Sequence, residues 1–430
     1  MDHRLYGSRW HGIAIGLLST IAGLAAAELM VGLVRGAASP VVPVGQEVID
    51  LVPPAVKDWA IDWFGTADKA VLILGTIFFL AVIGSIIGNL AVKGMRGAAY
   101  LVTVVVGFVG VFAVNLRPDP TFAKMLPAIV GTLASMSVIW WLSPRSAPAS
   151  TSPPTEDGAS PEPAHDVAGI GRRNFVVGAS TVGALAAVSA GVGRTLSGRF
   201  DVGDERAALD LPDPTGGDGA APVSVDRFEV GVDGVEPFVV PTDDFYRIDT
   251  ALVVPQVPKD SWSLRIHGMV DDELEIDFAG LLAREQVERY ITLSCVSNEV
   301  GGGLVGNAMW QGVLLRDVLN EAGVQDGATQ VVSRSVDGWN CGTPTSAIMD
   351  GRDAMLAIAM NGEPLPAEHG YPVRMVVPGL YGYVSATKWV TEVELTRWED
   401  FDGYWVPRGW SKEGPVKSMA RIDRPKRNQD

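Results

Sequence analysis

The chain has 430 residues, of which 47% are apolar and 20% charged, and its formal net charge is −16. This length exceeds that of one ordinary domain, and the acidic balance without basic patches argues against nucleic-acid binding. The sequence has two cysteines and five histidines, with no Cys-x-x-Cys or His-x-x-x-His pattern, so neither zinc nor c-type haem is expected.

Five long apolar runs dominate the first half of the chain. Each approaches or exceeds the roughly 20 residues that a helix needs to cross a bilayer. The predicted spans are 13–34, 70–92, 98–114, 122–142 and 172–194, the first four of them within a membrane region at 1–145. Glu28 is the only charge in the first span, and either a function inside the bilayer or a place near the outer interface would account for it. A lipid bilayer is therefore an expected partner.

Positive charges collect on one side of these spans. They are Arg4, Arg9, Lys93, Arg96, Arg145, Arg172 and Arg173, which precede the first span or follow the second and the fourth. Because Lys and Arg favour cytoplasmic segments, we predict a multi-pass protein of the plasma membrane with a cytoplasmic N-terminus and an extracytoplasmic C-terminal domain. In the opposite loop, "PAVKDWAIDWFG" is either a helix on the membrane surface or a solvated loop.

Low-complexity segments divide the chain further. Residues 146–171 are rich in Pro and Ser and are predicted to form a cytoplasmic linker. The stretch "GRRNFVVGASTVGALAAVSAG" resembles a twin-arginine export signal, although it lies inside the chain and lacks the usual lysine. Alternatively, its two arginines only hold a helix end in the cytoplasm. An acidic linker is predicted at 195–225, before a soluble domain at 226–430.

The C-terminal domain has the pattern of short strands separated by Gly, Pro and Asp turns, with short helical stretches at 278–285 and 314–322. A mixed α+β fold is therefore predicted. One strand, "RYITLSCV", delivers Cys295 into a glycine-rich loop. A b-type haem is not expected in the membrane region, because His3 and His11, the only histidines near a span, lie at the same helix end.

Five motifs occur in one order along this domain: "DDFYRID", "LSCVSNE", "WQGVLLRDVL", "SVDGW" and "HGYPVRMVVPGLYGYVSATKWV". Together they resemble the molybdopterin-binding oxidoreductase domain of the sulfite oxidase superfamily, which includes the periplasmic methionine sulfoxide reductases. The resemblance extends from Asp243 to about Arg421 and leaves out the membrane region. It implies a transmembrane helical bundle followed by a sulfite-oxidase-type α+β domain. The implied cofactor is molybdenum with molybdopterin, and the implied activity is two-electron oxo transfer.

By this resemblance, Cys295 is the protein thiolate that binds molybdenum beside the two pterin sulfurs. A soft thiolate suits such a metal, and the glycines that follow let the backbone approach the cofactor. Considered alone, a free cysteine is more often a small buried apolar residue. Cys341 has no counterpart in the resemblance and is predicted to be structural, since a disulfide between the two cysteines would block the metal.

The resemblance also implies which residues contact the pterin and its phosphate, groups that need cationic and hydrogen-bonding partners. They are Asp243, Tyr246, Arg247, Ser335, His369, Arg374, Ser385, Ala386, Thr387 and Lys388. The ordinary alternatives are a solvated arginine, a satisfied turn histidine and a strand-end lysine. Arg247 and Asn298 are predicted to act in catalysis together with Cys295.

The small-molecule substrate is less well defined by the sequence. Sulfite-oxidising members commonly follow the cysteine with arginines, whereas Glu299 stands here and would repel an anion. Reduction of an S-oxide or N-oxide is therefore favoured over sulfite oxidation. The alternative is a non-catalytic membrane-anchored binding or sensing protein. A separate electron-transfer partner is expected because no haem domain is visible, and a quinone-linked partner is one hypothesis.

Overall fold

The computed structural model describes residues 9–53, 56, 59–60, 63–64, 67–143, 172–214, 228–229, 231–232, 235 and 237–419. The chain divides into two compact units, Met1–Phe200 and Asp201–Asp430. The predicted linker at 146–171 lies outside the described residues, as does the 215–225 part of the second predicted linker.

The first unit is helical. Its helices are α1 (Arg9–Leu33), α2 (Val41–Leu51), α3 (Asp68–Val92), α4 (Arg96–Asn115), α5 (Phe122–Leu142) and α6 (Arg172–Ser197). Five helical stretches of the described chain are long and apolar enough to cross a membrane: Arg9–Leu33, Lys69–Val92, Arg96–Asn115, Phe122–Leu142 and Arg173–Ala207. The five predicted apolar helices are thus confirmed as helices. Their crossing of a membrane and its direction stay predictions.

Glycine lets the helices of this unit approach closely. A Cβ atom added at Gly16 of α1 would lie only 1.9 Å from the carbonyl oxygen of Gly84 in α3. A Cβ at Gly193 of α6 would lie 2.4 Å from the carbonyl oxygen of Glu28 in α1. Small residues at helix crossings allow this backbone contact in membrane bundles. Glu28, singled out by its charge, therefore lies where α1 packs against α6.

The second unit is a mixed α+β domain, as predicted. Its strands are β1 (Ser263–Gly268), β2 (Leu274–Asp277), β3 (Val287–Ser294), β4 (Val305–Leu314), β5 (Gln330–Ser335), β6 (Asn340–Pro344), β7 (Met355–Met360), β8 (Glu363–Pro364), β9 (Arg374–Val376) and β10 (Val390–Thr396). Short helices accompany them: α7 (Gly203–Ala207), α8 (Phe278–Leu282), α9 (Leu315–Ala322) and α10 (Thr345–Met349).

The strands form two sheets. One has the order β2-β1-β10-β5-β6, with β1 and β10 parallel; the other has the order β3-β4-β7-β8, with β9 paired to β7. All six residues of β7 are buried, so this strand is covered on both faces. Buried tryptophans anchor both sheets: the Trp262 indole donates to the carbonyl oxygen of Val390 at 2.7 Å, and that of Trp310 to Ile291 at 3.0 Å.

Part of the predicted linker 195–225 is ordered against the second unit. Val202 is buried in one of its apolar clusters. Glu205 in α7 accepts hydrogen bonds from the backbone N–H of Lys259 at 2.7 Å and from the hydroxyl of Tyr371 at 2.8 Å. The segment packs here because an apolar side chain and a carboxylate find partners that a solvated linker would not offer.

Candidate active site

The end of β3 presents the Cys295 thiol. The strand stops at Ser294, and the next residues turn back to β4. The Cys295 backbone N–H donates to Leu304 at 2.9 Å, while the Asn298 side-chain carbonyl accepts from the Leu304 N–H at 2.8 Å. Asn298, predicted to be catalytic, therefore closes the loop that carries the thiol. Cys295 is a free, partly exposed cysteine, which leaves its sulfur open to a ligand.

Aromatic rings form one wall beside this loop. Phe245 stacks on Tyr246 with ring centroids 5.1 Å apart and meets His369 edge-on at 5.6 Å. Gly306 in β4 makes room for this wall, because a Cβ there would lie 2.6 Å from the Phe245 ring. Burial raises the pKa of the Tyr246 phenol; Arg374 acts against that rise and negative charge on Cys295 adds to it. Tyr246 thus lies within electrostatic reach of both the thiol and the buried arginine.

His369 and Arg374 form a buried pair with unused hydrogen-bonding atoms. Arg374 donates from Nη1 to the carbonyl oxygen of His369 at 3.1 Å, and its guanidinium lies 4.9 Å from the centroid of the Trp310 ring. Neither Nε of Arg374 nor Nδ1 of His369 has a partner within the described protein. Burial lowers the pKa of His369 to about 3, helped by the nearby Arg374 cation. Burial also lowers the pKa of Arg374 to about 10.

Gly370 allows the local chain reversal that brings these side chains together. Its φ is +113°, a conformation that L side chains rarely adopt. A Cβ at this position would lie 3.0 Å from the Cβ of Arg374 and 3.1 Å from that of Lys388. The glycine in the "HGYPVR" motif therefore has a steric reason as well as a conformational one.

Lys388 is held by a carboxylate that the sequence analysis did not select. Its Nζ lies 3.0 Å from Oδ2 of Asp249 and donates to the carbonyl oxygen of Glu368 at 2.9 Å. The same Asp249 oxygen accepts from Nε of Arg247 at 2.8 Å. Burial lowers the pKa of Lys388 to about 8, although Asp249 acts in the opposite direction. Asp249 is the last residue of the "DDFYRID" motif, and its place in that motif is the sequence signal that could have identified it.

Asp337 is a second carboxylate that was missed. It follows Ser335 in the "SVDGW" turn, and its backbone N–H donates to the Ser335 hydroxyl at 3.4 Å. Burial raises the pKa of Asp337, the Asp249 carboxylate adds to the increase, and Lys388 opposes it. The two carboxylates and the lysine therefore interact electrostatically. Ser335 is buried at the start of the same turn.

Other residues predicted to contact the pterin have side chains that bond within the protein or face solvent. The Ser385 hydroxyl donates to the carbonyl oxygen of Tyr381 at 2.9 Å. The Thr387 hydroxyl is 2.6 Å from that of Ser333 and 3.4 Å from the sulfur of Cys341. These two side chains serve the protein interior, while Ala386 between them is partly exposed. Asp243 is exposed in a single turn at Thr242–Asp244.

Cys341 has the surroundings of a structural thiol. It is 1% exposed, and burial raises its pKa while hydrogen bonds from Ser333 and Thr387 act against that rise. Both cysteines are free. The thiol of Cys341 is thus enclosed in a polar pocket of the core, and that of Cys295 is the accessible one.

Comparison with known proteins assigns this domain. The family model for the oxidoreductase molybdopterin binding domain matches residues 251–405. The uncharacterized oxidoreductase YuiH of Bacillus subtilis (strain 168) is 34% identical over 153 residues, which cover 36% of this chain and 74% of that protein. The chain belongs to the molybdopterin-binding oxidoreductase family. It is a molybdopterin-dependent oxidoreductase of the sulfite oxidase superfamily.

More distant members of the superfamily share only part of their length with this oxidoreductase. The mitochondrial sulfite oxidase of Drosophila melanogaster is 30% identical over 211 residues, 44% of this chain and 36% of that enzyme. The match to the crystal structure of the sulfane dehydrogenase SoxCD from Paracoccus pantotrophus has 28% sequence identity and a TM-score of 0.35. It covers 37% of this chain and 44% of that chain. The family match includes Cys295 and Lys388 but begins after Asp249.

The residues of this oxidoreductase fit the cofactor of its family. Molybdenum needs a soft ligand, and Cys295 offers an accessible thiol. The pterin and its phosphate need donors and positive charge, and the buried Nε of Arg374 has no partner among the described residues. The neutral imidazole of His369 adds a buried Nδ1 that also has no partner there. Since buried polar atoms are normally hydrogen-bonded, these two atoms are suited to a polar ligand.

Proposed function

We propose that this chain is a membrane-anchored molybdenum–pterin oxidoreductase that transfers an oxygen atom in a two-electron reaction on a small S-oxide or N-oxide. The observation that carries the proposal is the accessible Cys295 thiol near a buried cationic group whose donors are incompletely paired. A purely structural cysteine would not need both features. Molybdenum in its pterin supplies the two-electron chemistry, and the protein supplies binding, orientation and electrostatics.

The residues of the site have separate proposed roles. Cys295 is the metal ligand, and Asn298 positions it by closing the loop at 2.8 Å. His369, Arg374 and Lys388 bind the pterin and its phosphate, with Ser335, Asp243 and the 385–387 segment around them. Tyr246 keeps its proton because burial raises its pKa, so its hydroxyl can donate to an oxygen atom held near Cys295.

Charge near the thiol supports a neutral substrate. Glu299 is exposed on the Cys295 loop, where it would repel sulfite. Arg247, proposed as a catalytic cation, is paired with Asp249 at 2.8 Å, so part of its charge is compensated. An S-oxide carries no net charge and is not subject to this repulsion. Its reduction consumes two electrons and two protons and yields the thioether and water.

Membrane anchoring and the electron donor are parts of the same proposal. Five apolar helices support anchoring. The distribution of Lys and Arg supports a cytoplasmic N-terminus and an extracytoplasmic catalytic domain. The electrons are proposed to come from a separate partner, with a quinone-linked partner as one candidate. Reporter fusions at the C-terminus test the orientation, and the double variant R172K/R173K tests export through the twin-arginine route.

The first test is the molybdenum-to-protein ratio of natively expressed protein. Near-stoichiometric molybdenum is expected in the native chain. The Cys295→Ser variant is expected to lose either the metal or its thiolate spectroscopic signature. Cys341→Ser is the matched control and should keep the metal, because serine preserves the hydrogen bonds to Ser333 and Thr387. Absence of molybdenum from the native protein would contradict the proposal.

The second test compares substrates on the metal-loaded enzyme. Methionine sulfoxide and trimethylamine N-oxide are offered with a reduced viologen dye as donor, and sulfite is offered with ferricyanide as acceptor. Turnover of an oxide with little turnover of sulfite is expected. Replacing Glu299 by Gln should raise the rate with sulfite more than the rate with an oxide. Efficient sulfite oxidation by the unchanged enzyme would overturn the substrate assignment.

A further inference from the structure

The helical unit contains a cavity of about 440 Å³. Helices α1 and α3 to α5 line it, and Pro40, Val41 and Val44 at the start of α2 contribute a further part of its wall. Cavities of about 300–1,000 Å³ are typical of small-molecule sites in proteins. The cavity therefore falls within the volume range of a small-molecule site.

The wall of the cavity selects for an uncharged ligand. None of the described residues that line it is charged, and most are aliphatic, glycine or proline. Placing an ion among such side chains would carry a large desolvation cost. The polar groups are six hydroxyls, on Ser19, Thr20, Thr76, Thr103, Thr132 and Ser135.

Each of these hydroxyls already donates its proton in a hydrogen bond to a backbone carbonyl oxygen. Thr132 donates to the carbonyl oxygen of Ala128 at 2.7 Å, and Thr103 donates to Ala99 at 2.9 Å. Thr20 and Thr76 bond one turn back in the same way, at 3.0 and 2.9 Å. Ser19 donates to Gly16 at 2.8 Å, and Ser135 reaches across to the carbonyl oxygen of Ser19 at 2.9 Å. A hydroxyl has one proton and two lone pairs, so each of these oxygens can still accept but not donate.

The α2 part of the wall is held in place from outside the cavity. Arg117, just beyond α4, forms a hydrogen-bonded ion pair with Glu47 and a second one with Asp50 at 3.0 Å. Both acidic residues belong to α2, whose buried side includes Val41. The ion pairs therefore fix the amphipathic helix with its apolar residues towards the cavity.

We propose that this cavity binds an uncharged, lipid-soluble molecule that donates hydrogen bonds through hydroxyl groups. Quinols and diacylglycerols both have this chemistry. Binding of a quinol rests on the proposed function, which needs a two-electron donor. Binding of a diacylglycerol is independent of that function. A quinone has the same shape as its quinol but only accepts hydrogen bonds, so it is the mismatched ligand for a wall of acceptors.

The test is saturable binding to the full chain in phosphatidylcholine nanodiscs under anaerobic conditions. The tritiated probes are decylubiquinol, decylubiquinone and dioleoylglycerol, each compared with empty nanodiscs. One site per chain is expected for the quinol or for the diacylglycerol, and the two arms identify which source is bound. The quinone is expected to bind about tenfold more weakly, as loss of one hydrogen bond to the wall would produce. Quinone binding as tight as that of the quinol would overturn the proposal, as would no saturable binding of either hydroxyl probe.

Matched variants connect binding with the cavity. Val106→Trp fills it from α4, while Val104→Trp places the same ring on the same helix at a position that is 46% exposed and does not line the cavity. Only the first should abolish binding. Thr132→Val removes one acceptor without changing the side-chain shape and should weaken quinol binding severalfold, with the exposed Thr181→Val of α6 as control. Unchanged binding in both Val106→Trp and Thr132→Val would refute the site. The measurement needs no turnover, so its failure is separate from failure of the metal and oxide tests.

Discussion

Asp249 and Lys388, 139 positions apart in the sequence, form an ion pair of 3.0 Å in which the two side chains are only 6% and 9% exposed. This pair holds a buried cation at the proposed pterin site. Arg247 shares the same carboxylate oxygen. The carboxylate thereby fixes two of the residues that the resemblance assigns to the cofactor.

Replacing Asp249 by Asn should destabilise the second unit. Loss of one partner of a buried ion pair costs about 3–5 kcal/mol, which corresponds to a decrease in Tm on the order of 10 °C for a unit of this size. Thermal unfolding of the metal-free protein, followed by near-UV circular dichroism, measures the effect. Asp260→Asn is the control, since its carboxylate is 81% exposed and pairs with Lys259 at the surface. Equal Tm values for the two variants would contradict a structural role of Asp249.

His369 should make stability depend on pH. Its pKa in the fold is about 3, against 6.5 for a free histidine, so the unfolded chain binds more protons between those values. Stability from this group is complete above about pH 6.5 and falls as the pH decreases towards 3, with a slope of up to about 1.4 kcal/mol per pH unit.

The measurement for His369 is the free energy of urea unfolding of the metal-free protein between pH 7.5 and 5.5, where most carboxylates stay ionised. His369→Gln should flatten the dependence in this window. His267→Gln is the control, because that imidazole lies on β1 and bonds to Glu392 at 2.8 Å. A slope that survives in His369→Gln would assign the effect to another group.

Arg374 should determine retention of the pterin. Its Nε is buried with no partner in the part of the chain that the structure describes, so Arg374→Gln removes both a charge and a donor that the cofactor phosphate can use. At least a tenfold decrease in bound pterin is expected, measured as the fluorescent oxidised derivative released per chain. Arg352→Gln is the matched control, since that guanidinium pairs with Asp350 at 2.7 Å at the surface. Full pterin content in Arg374→Gln would remove Arg374 from the site.

Variants of Asn298 distinguish a positioning role of this residue from a catalytic one. Asn298→Ala loses the acceptor for the Leu304 N–H and should lower both molybdenum content and kcat, because the Cys295 loop opens. Asn298→Asp keeps an acceptor at the same place and should restore molybdenum content to near the native level. If Asp restores the metal but not kcat, the Asn298 amide has a direct part in catalysis.

The sequence predicts the helices and the thiol because each depends on local pattern. An apolar run such as 122–142 has the length of a bilayer span, and it forms α5 (Phe122–Leu142). Cys295 follows a run that the sequence identifies as a strand, and the strand ends at Ser294. Neither feature requires knowledge of distant residues.

Asp249 and Asp337 escape sequence reasoning because their importance comes from partners remote in the chain. A carboxylate in a turn usually faces water, and only the fold places both near Lys388. Ser385 and Thr387 show the opposite case. Their hydroxyls are hydrogen-bonded to Tyr381 and Ser333. The sequence of a motif does not reveal in which direction each of its side chains points.

The enclosure of Cys341 gives the protein a built-in chemical reporter. The chain has two cysteines, and one of them is 1% exposed behind Ser333 and Thr387. A thiol-directed label applied to the folded protein is therefore expected to react at Cys295, and under the proposed role of Cys295 a bound metal would protect that sulfur. Under that role, the fraction of chains in a purified sample that take up one label would count the molecules still lacking metal.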